Sequence, residues 1–305
     1  SCYYHLMNRI RGPKEGNHPF TDVDRELGFQ IVQEACRYFL LEVISAAWMG
    51  NHFHLVVYSP SDRPSNELIA ARHDEFFERR RVRPAPLDPE DHKACSEVAE
   101  DMLDISAFMR WIQVAFSSSF NRRSDRRGSL WAGRFKSVII ESGEALETLV
   151  KYVELNPVRS GLADDPADYR FCSWGRFSGS GRHPFRENFQ KHMRKCSPRM
   201  AKMREKEIYA EFRASLARTI ARERGATFEQ ADQAARAARA EVSMPVRFLA
   251  RTRYFSDGAI IGSKGFVQEM ASRFRDRTRV MDRQLPRGFD GKLALYSFKR
   301  LRSDA

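Results

Sequence analysis

Residues 41–58 constrain the chain most. Two apolar runs, 41–49 and 52–58, are separated only by Gly50-Asn51, a pair suited to a tight turn, so they read as hairpin-joined strands. Within the second run His52 and His54 flank Phe53. Alternation along a strand puts residues i and i+2 on one face, so both imidazoles point the same way from the mouth of a buried strand. Neutral imidazole nitrogen is a common metal ligand, and two such rings on one rigid strand form half of a coordination site. Taken alone, the pair also reads as two half-buried strand histidines, so metal chemistry needs a second motif.

That motif lies in residues 141–159. Ser142 is a good N-cap, Glu144 suits the positive first turn, and Leu146, Leu149, Val150 and Val153 recur at helical spacing. The spacing predicts an amphipathic helix that Pro157 ends near Asn156. Tyr152 and Asn156 then sit one turn apart on the same flank, at the edge of the apolar stripe. A tyrosine hydroxyl and a side-chain carbonyl thereby face one point in space. The alternative for Tyr152 is a packing residue with its hydroxyl at the rim.

Together the two segments resemble the HUH single-tyrosine transposases, and within them the branch of REP-associated tyrosine transposases. The match is carried by Tyr152-Val153-Glu154-Leu155-Asn156-Pro157-Val158-Arg159, followed by Ser160-Gly161-Leu162. Supporting segments are Tyr4-His5-Leu6-Met7-Asn8-Arg9, Trp48-Met49-Gly50-Asn51-His52-Phe53-His54, and Gly128-Ser129-Leu130-Trp131-Ala132-Gly133-Arg134-Phe135-Lys136. The resemblance spans residues 3 to about 177 and implies a transposase catalytic domain there. It implies a divalent ion, Mg2+ or Mn2+, held by His52, His54 and Asn156 against a phosphate of single-stranded or hairpin DNA. Tyr152 would be the nucleophile, leaving a 5′-phosphotyrosine and a 3′ hydroxyl that a second DNA end can reverse without ATP. Lys151, Glu154 and Glu147 lie close in sequence, and none is assigned as the base. Relatives act as monomers or as homodimers that exchange the tyrosine helix, and this branch leans towards the monomer.

Charge fits a DNA partner through its distribution. Residues 1–185 carry 24 basic and 26 acidic side chains, whereas 186–305 carry 28 and 14, so the whole positive excess lies towards the C-terminus. Clustered basic charge favours phosphate backbones through counterion release, although a solvated helical surface has the same composition. Within the near-neutral residues 1–185 a basic stretch leads towards the tyrosine helix: Arg122, Arg123, Arg126 and Arg127, then Trp131, Arg134 and Lys136, with Arg159 beyond the tyrosine. These are the candidate DNA contacts, arginines for phosphates and aromatic rings for stacking on unpaired bases. The alternative is a core position for Trp131 and Phe135. Residues 84–104 are acidic and proline-punctuated, an insertion that would avoid DNA.

The periodicity predicts strands over 3–9, 41–49, 52–58 and 134–140, and helices over 22–39, 65–80 and 100–121 before the tyrosine helix. This βαββαβα order is that of an α+β protein, an antiparallel sheet backed by helices, as expected of the ferredoxin-like HUH fold. Ser178-Gly179-Ser180-Gly181 reads as a boundary. Residues 178–305 then form a basic, mainly helical extension, a candidate DNA-binding region: 186–241 helical with a break at Gly225, and a further helix from Lys264 to Phe274. The five cysteines are scattered, with no Cys-x-x-Cys, which disfavours a disulfide framework or thiolate zinc site and points to a reducing cytoplasm. No apolar run is long enough to cross a bilayer. Three classes remain: a DNA strand transferase with endonuclease activity, a relaxase-like endonuclease, and a domesticated non-catalytic DNA-hairpin-binding protein.

Overall fold

The computed structural model describes residues 1–12, 19–80 and 83–241, and beyond them the strands 258–262, 287–288 and 296–299. The chain divides into two compact units, Ser1–Ser178 with Arg182–Ser243, and Met244–Ala305 with Gly179–Gly181.

In the first unit the hairpin forms where the apolar runs place it. Strand β2 (Glu42–Trp48) pairs with β3 (His52–Ser59), β1 (Cys2–Arg9) lies along the other edge of β3, and β4 (Lys136–Ile140) pairs with β1. All three pairings are antiparallel, and the sheet order is β2-β3-β1-β4. The protein is therefore α+β with a four-stranded antiparallel sheet.

Helices cover both faces. Helix α1 (Asp22–Tyr38) is started by a capping box, in which Thr21 Oγ1 accepts from the Asp24 amide and Asp24 Oδ2 accepts from the Thr21 amide. It lies close to the sheet because Gly28 has no side chain: a Cβ there would sit 2.5 Å from the Trp48 indole. On this face Trp48 and Phe53 stack at 4.6 Å, and Phe20, Phe116, Phe120 and Trp131 close round them. The opposite face receives α5 (Glu144–Arg159) and α7 (Arg186–Met193), the latter through Asn188 Nδ2 donating to the Val43 carbonyl and His192 meeting Glu42.

Several expectations are corrected. The helix expected over 100–121 is two helices, α3 (His92–Leu103) and α4 (Ile105–Arg123), following α2 (Asn66–Glu78). Asp104 ends one and caps the next, accepting from the Ser106 and Ala107 amides. Much of the acidic stretch belongs to this α3, which packs Ala99 and Met102 on Ile69 of α2. Helix α5 is not capped by Ser142: its N-cap is Gly143, at φ +85°, where only glycine is unstrained. Pro157 does not end it. The ring removes one N–H, the donor to the Val153 carbonyl, and disfavours but does not forbid a helical residue before it. The helix runs to Arg159 and closes at Gly161, φ +66°.

The boundary expected near 178 is also corrected. Helices α6 (Ser173–Ser180), α7, α8 (Pro198–Ala201), α9 (Glu205–Glu223) and α10 (Phe228–Glu241) lie along 173–241, with Gly225 breaking the last two as expected. Phe185, Phe189, Met193 and Phe212 bury in the same core as the sheet, so 186–241 completes the first unit. Beyond it the expectation of a mainly helical region meets a three-stranded antiparallel sheet, β5 (Gly258–Gly262), β6 (Arg287–Gly288) and β7 (Tyr296–Lys299), in the order β5-β7-β6. Ile260-Ile261 and Tyr296 with Phe298 are residues that favour strands. The helix expected over Lys264 to Phe274 lies outside the described residues. No helix among the described residues is long and apolar enough to cross a membrane.

Candidate active site

Strand β3 turns Phe53, Leu55 and Val57 into the aromatic core and His52 and His54 onto the other face, with their rings 4.9 Å apart. A third imidazole joins them from β1. In the β1–β3 register Met7 faces His54 and His5 faces Val56, so His5 lies diagonally beside His54 on the same face. The His5 and His54 rings stack at 5.1 Å, and His5 Nε2 lies 2.9 Å from His54 Nδ1. His52 Nδ1 lies 2.6 Å from Asn51 Oδ1, in the hairpin turn. An amide oxygen only accepts, so His52 donates from Nδ1.

Helix α5 crosses this face and brings Tyr152 edge-on to His54, centroids 5.9 Å apart, and to His5 at 5.7 Å. Tyr152 is 41% exposed, within reach of a large substrate. One turn on, Asn156 is buried, its Nδ2 making a long 3.5 Å contact to the Tyr152 carbonyl. Asn156 lies within α5 one turn beyond Tyr152, on the same flank. The structure thus brings His52, His54 and Tyr152 together on one face, with Asn156 one turn beyond.

The electrostatics disfavour a charge on His54 and His5. Burial, then the neighbouring His52 and His5, hold His54 well below the ordinary histidine value, and burial pushes His5 down to about 4. His54 Nε2 is buried and has no hydrogen-bond partner. A buried nitrogen without a partner is costly, and a bound cation is one way to satisfy a lone pair there. Among the described residues no group of three His, Cys, Asp or Glu side chains is disposed to hold a metal. Imidazole and amide donors suit Mn2+ and, with open positions for water and phosphate oxygen, Mg2+.

The acidic and basic neighbours of Tyr152 have other partners. Glu154 accepts from Ser45 Oγ of β2 at 2.7 Å and from the Trp174 amide of α6 at 2.8 Å, and burial raises it to about 7 against those bonds. Lys151 pairs with Glu147 at 3.2 Å. Arg159 lies over the Tyr152 ring, 5.2 Å from its centroid, and pairs with Glu223 of α9 at 2.6 Å.

Of the residues expected to contact DNA, Arg122, Arg127, Arg134 and Lys136 are exposed, and Lys136, opposite Met7 in the β1–β4 register, shares the face of His5. Arg123 is tied to Asp24, and Arg126 donates to the Ser129 carbonyl at 3.2 Å. Trp131 is corrected: its ring packs among Phe20, Phe53 and Phe116 and its indole N–H donates to the Gln113 carbonyl, so no face is left for a base. In the helices of 186–241, Arg186, Arg199, Arg213, Arg218, Arg224 and Arg239 each pair with a carboxylate. These side chains are engaged in ion pairs within the fold.

The residues that the sequence left without a role are His5 and Asn51. Both lie in segments that carry the motif resemblance, but only strand register shows that His5 meets His54.

No model of a known protein family matches the chain, and no curated protein matches it in sequence. Among solved structures, it is similar to that of a REP-associated tyrosine transposase bound to a REP hairpin, at 14% identity and a TM-score of 0.40, covering 60% of this chain and 83% of that one.

Proposed function

We propose that the chain is a metal-dependent, single-stranded DNA transesterase of the HUH single-tyrosine type, acting beside DNA hairpins as a transposase. The observation that carries this reading is an exposed tyrosine set against His54 and His5, the first of which ends in a buried, unpartnered nitrogen. The sheet order β2-β3-β1-β4 supports the ferredoxin-like form of the fold.

His52, His54 and Asn156 would hold Mg2+ or Mn2+, which supplies polarisation of the scissile phosphate and offsets charge as the phosphorus becomes five-coordinate. The Tyr152 oxygen forms the new bond to phosphorus and releases its proton. The bond from phosphorus to the 3′ oxygen breaks, and that oxygen leaves as a hydroxyl after taking up a proton. Because Tyr152 meets the histidines of its own chain, the reading is of a site that works in a monomer. Arg122, Arg127, Arg134 and Lys136 are the side chains that would draw the phosphate backbone to this end of the sheet.

The test is a denaturing gel of the full chain with labelled hairpin oligonucleotides and Mn2+, comparing the native chain with Tyr152→Phe and His54→Ala. A slow-migrating protein–DNA adduct formed by the native chain alone is the expected result. Tight hairpin binding with no adduct would put the non-catalytic DNA-binding reading in its place.

A further inference from the structure

Each site histidine is approached at Nδ1, the side of the ring away from Nε2. For His52 the partner is Asn51 Oδ1 at 2.6 Å, a group that can only accept. For His54 the partner is His5 Nε2 at 2.9 Å, a nitrogen that can accept or donate according to its tautomer. The two choices are not equivalent. If His5 donates, His54 must carry its own proton on Nε2, an N–H buried with no acceptor. If His5 accepts, His54 is protonated at Nδ1 and presents a lone pair at Nε2, the electronic form of a metal-ligating imidazole.

We propose that His5 is a positioning residue: its Nε2 accepts the Nδ1 proton of His54 and so fixes both the tautomer and the ring angle that aim His54 Nε2 into the site. The inference rests on the metal reading of His52, His54 and Asn156 and adds to it a residue that is not a ligand. His5 is not placed as a third ligand, because the nitrogen it offers is engaged behind the His54 ring. Geometry restricts it further. Its ring stacks on His54 at an interplanar angle of 21° and stands edge-on to Tyr152 at 76°, so one side chain from β1 braces both the ligand strand and the nucleophile helix. His5 is 6% exposed and held on a strand paired on both sides, which leaves the ring little freedom to turn away.

The test uses the full chain and two measurements. The first is metal-free: 15N chemical shifts of the His54 ring, which separate a protonated from an unprotonated nitrogen. We expect Nδ1 protonated and Nε2 unprotonated in the native chain, with that preference lost in His5→Phe, which keeps an aromatic ring against His54 and Tyr152 but removes the acceptor. The second is Mn2+ affinity, followed by the electron paramagnetic resonance signal of the free ion. His5→Phe is expected to weaken binding by about 10- to 100-fold, as loss of an outer hydrogen-bond partner does. His5→Gln, whose amide oxygen can accept in the same place, is expected to restore most of it. A merely structural ring would leave His5→Phe at native affinity, and that result overturns the proposal, as does a native His54 protonated at Nε2. If the native chain binds no Mn2+, or His54→Ala binds it equally, the metal reading fails, and the nitrogen shifts alone then decide the His5–His54 bond.

Discussion

The two faces of the β2-β3-β1 sheet are built from the same strands and do opposite things. On one, Trp48 and Phe53 bury under α1 and α4 and a cluster of aromatic rings, with Asn8 opposite Phe53 in the β1–β3 register. On the other, the alternate residues His52, His54, Ser45 and His5 are also largely withdrawn from water, yet their polar atoms meet Asn51, Glu154 and one another. The dry face is stabilised by area and close packing. The second is held by directed bonds between groups that are expensive to bury, and it retains an unpartnered nitrogen at its centre. Apolar packing and polar bonding are thus divided between the faces, residue by residue along β3.

That division can be broken most strongly at Phe53. Phe53→Ala removes a ring that stacks on Trp48 and stands edge-on to Trp131 and should cost about 3–5 kcal/mol in denaturant unfolding. A cost below that of an exposed substitution would mean that the aromatic face is not the stabilising one.

Glu154 gives the next effect and sharpens the contrast through pH. Its folded value, about 7, is raised above the ordinary 4.5, so the folded state holds the proton more tightly. Its contribution is fully present below pH 4.5 and is lost as pH rises towards 7, by roughly 3 kcal/mol across that window. Glu154→Gln, which cannot ionise and whose Oε1 can still accept from Ser45 Oγ, should remove this slope. Urea midpoints of the two chains between pH 4.5 and 7 check it, and parallel profiles would contradict it.

Gly28→Ala probes the tightness of the dry face. The added methyl meets the buried Trp48 indole at 2.5 Å, and overpacking of this kind costs about 1–3 kcal/mol. Thermal unfolding at matched concentration reads it directly. A neutral result would show that α1 can withdraw from the sheet.

The smallest change in stability belongs to the residue with the largest proposed role. Tyr152→Phe removes a hydroxyl from a ring that is 41% exposed and should shift unfolding by no more than about 0.5 kcal/mol while abolishing the covalent adduct. Loss of stability on the scale of Phe53→Ala would recast Tyr152 as a packing residue.

Much of this arrangement was legible before any coordinates. The Gly50-Asn51 turn, the strand alternation that pairs His52 with His54, and the one-turn spacing of Tyr152 and Asn156 follow from local rules that depend only on nearby residues. Those rules failed where two local signals competed. Asp104 reads as an ordinary acidic residue inside a long apolar pattern, but its side chain caps a new helix. Pro157 reads as a stop, but in the last turn its missing N–H removes a single bond, and the helix continues. Trp131, beside a run of arginines, reads as a stacking platform, and only the packed structure shows its ring filling the core.

The amino-acid order by itself determined most elements of the β2-β3-β1-β4 sheet and the side of β3 on which its polar groups stand, because period and capping act over a few residues. Tertiary structure alone decided which of those groups meet. His5 and His54 are 49 positions apart, and Arg159 and Glu223 are 64 apart. Strand register and helix packing, both set by how the aromatic face excludes water, bring them within hydrogen-bonding distance. The same packing draws 186–241 into the core of the sheet, although its composition alone reads as a separate basic extension.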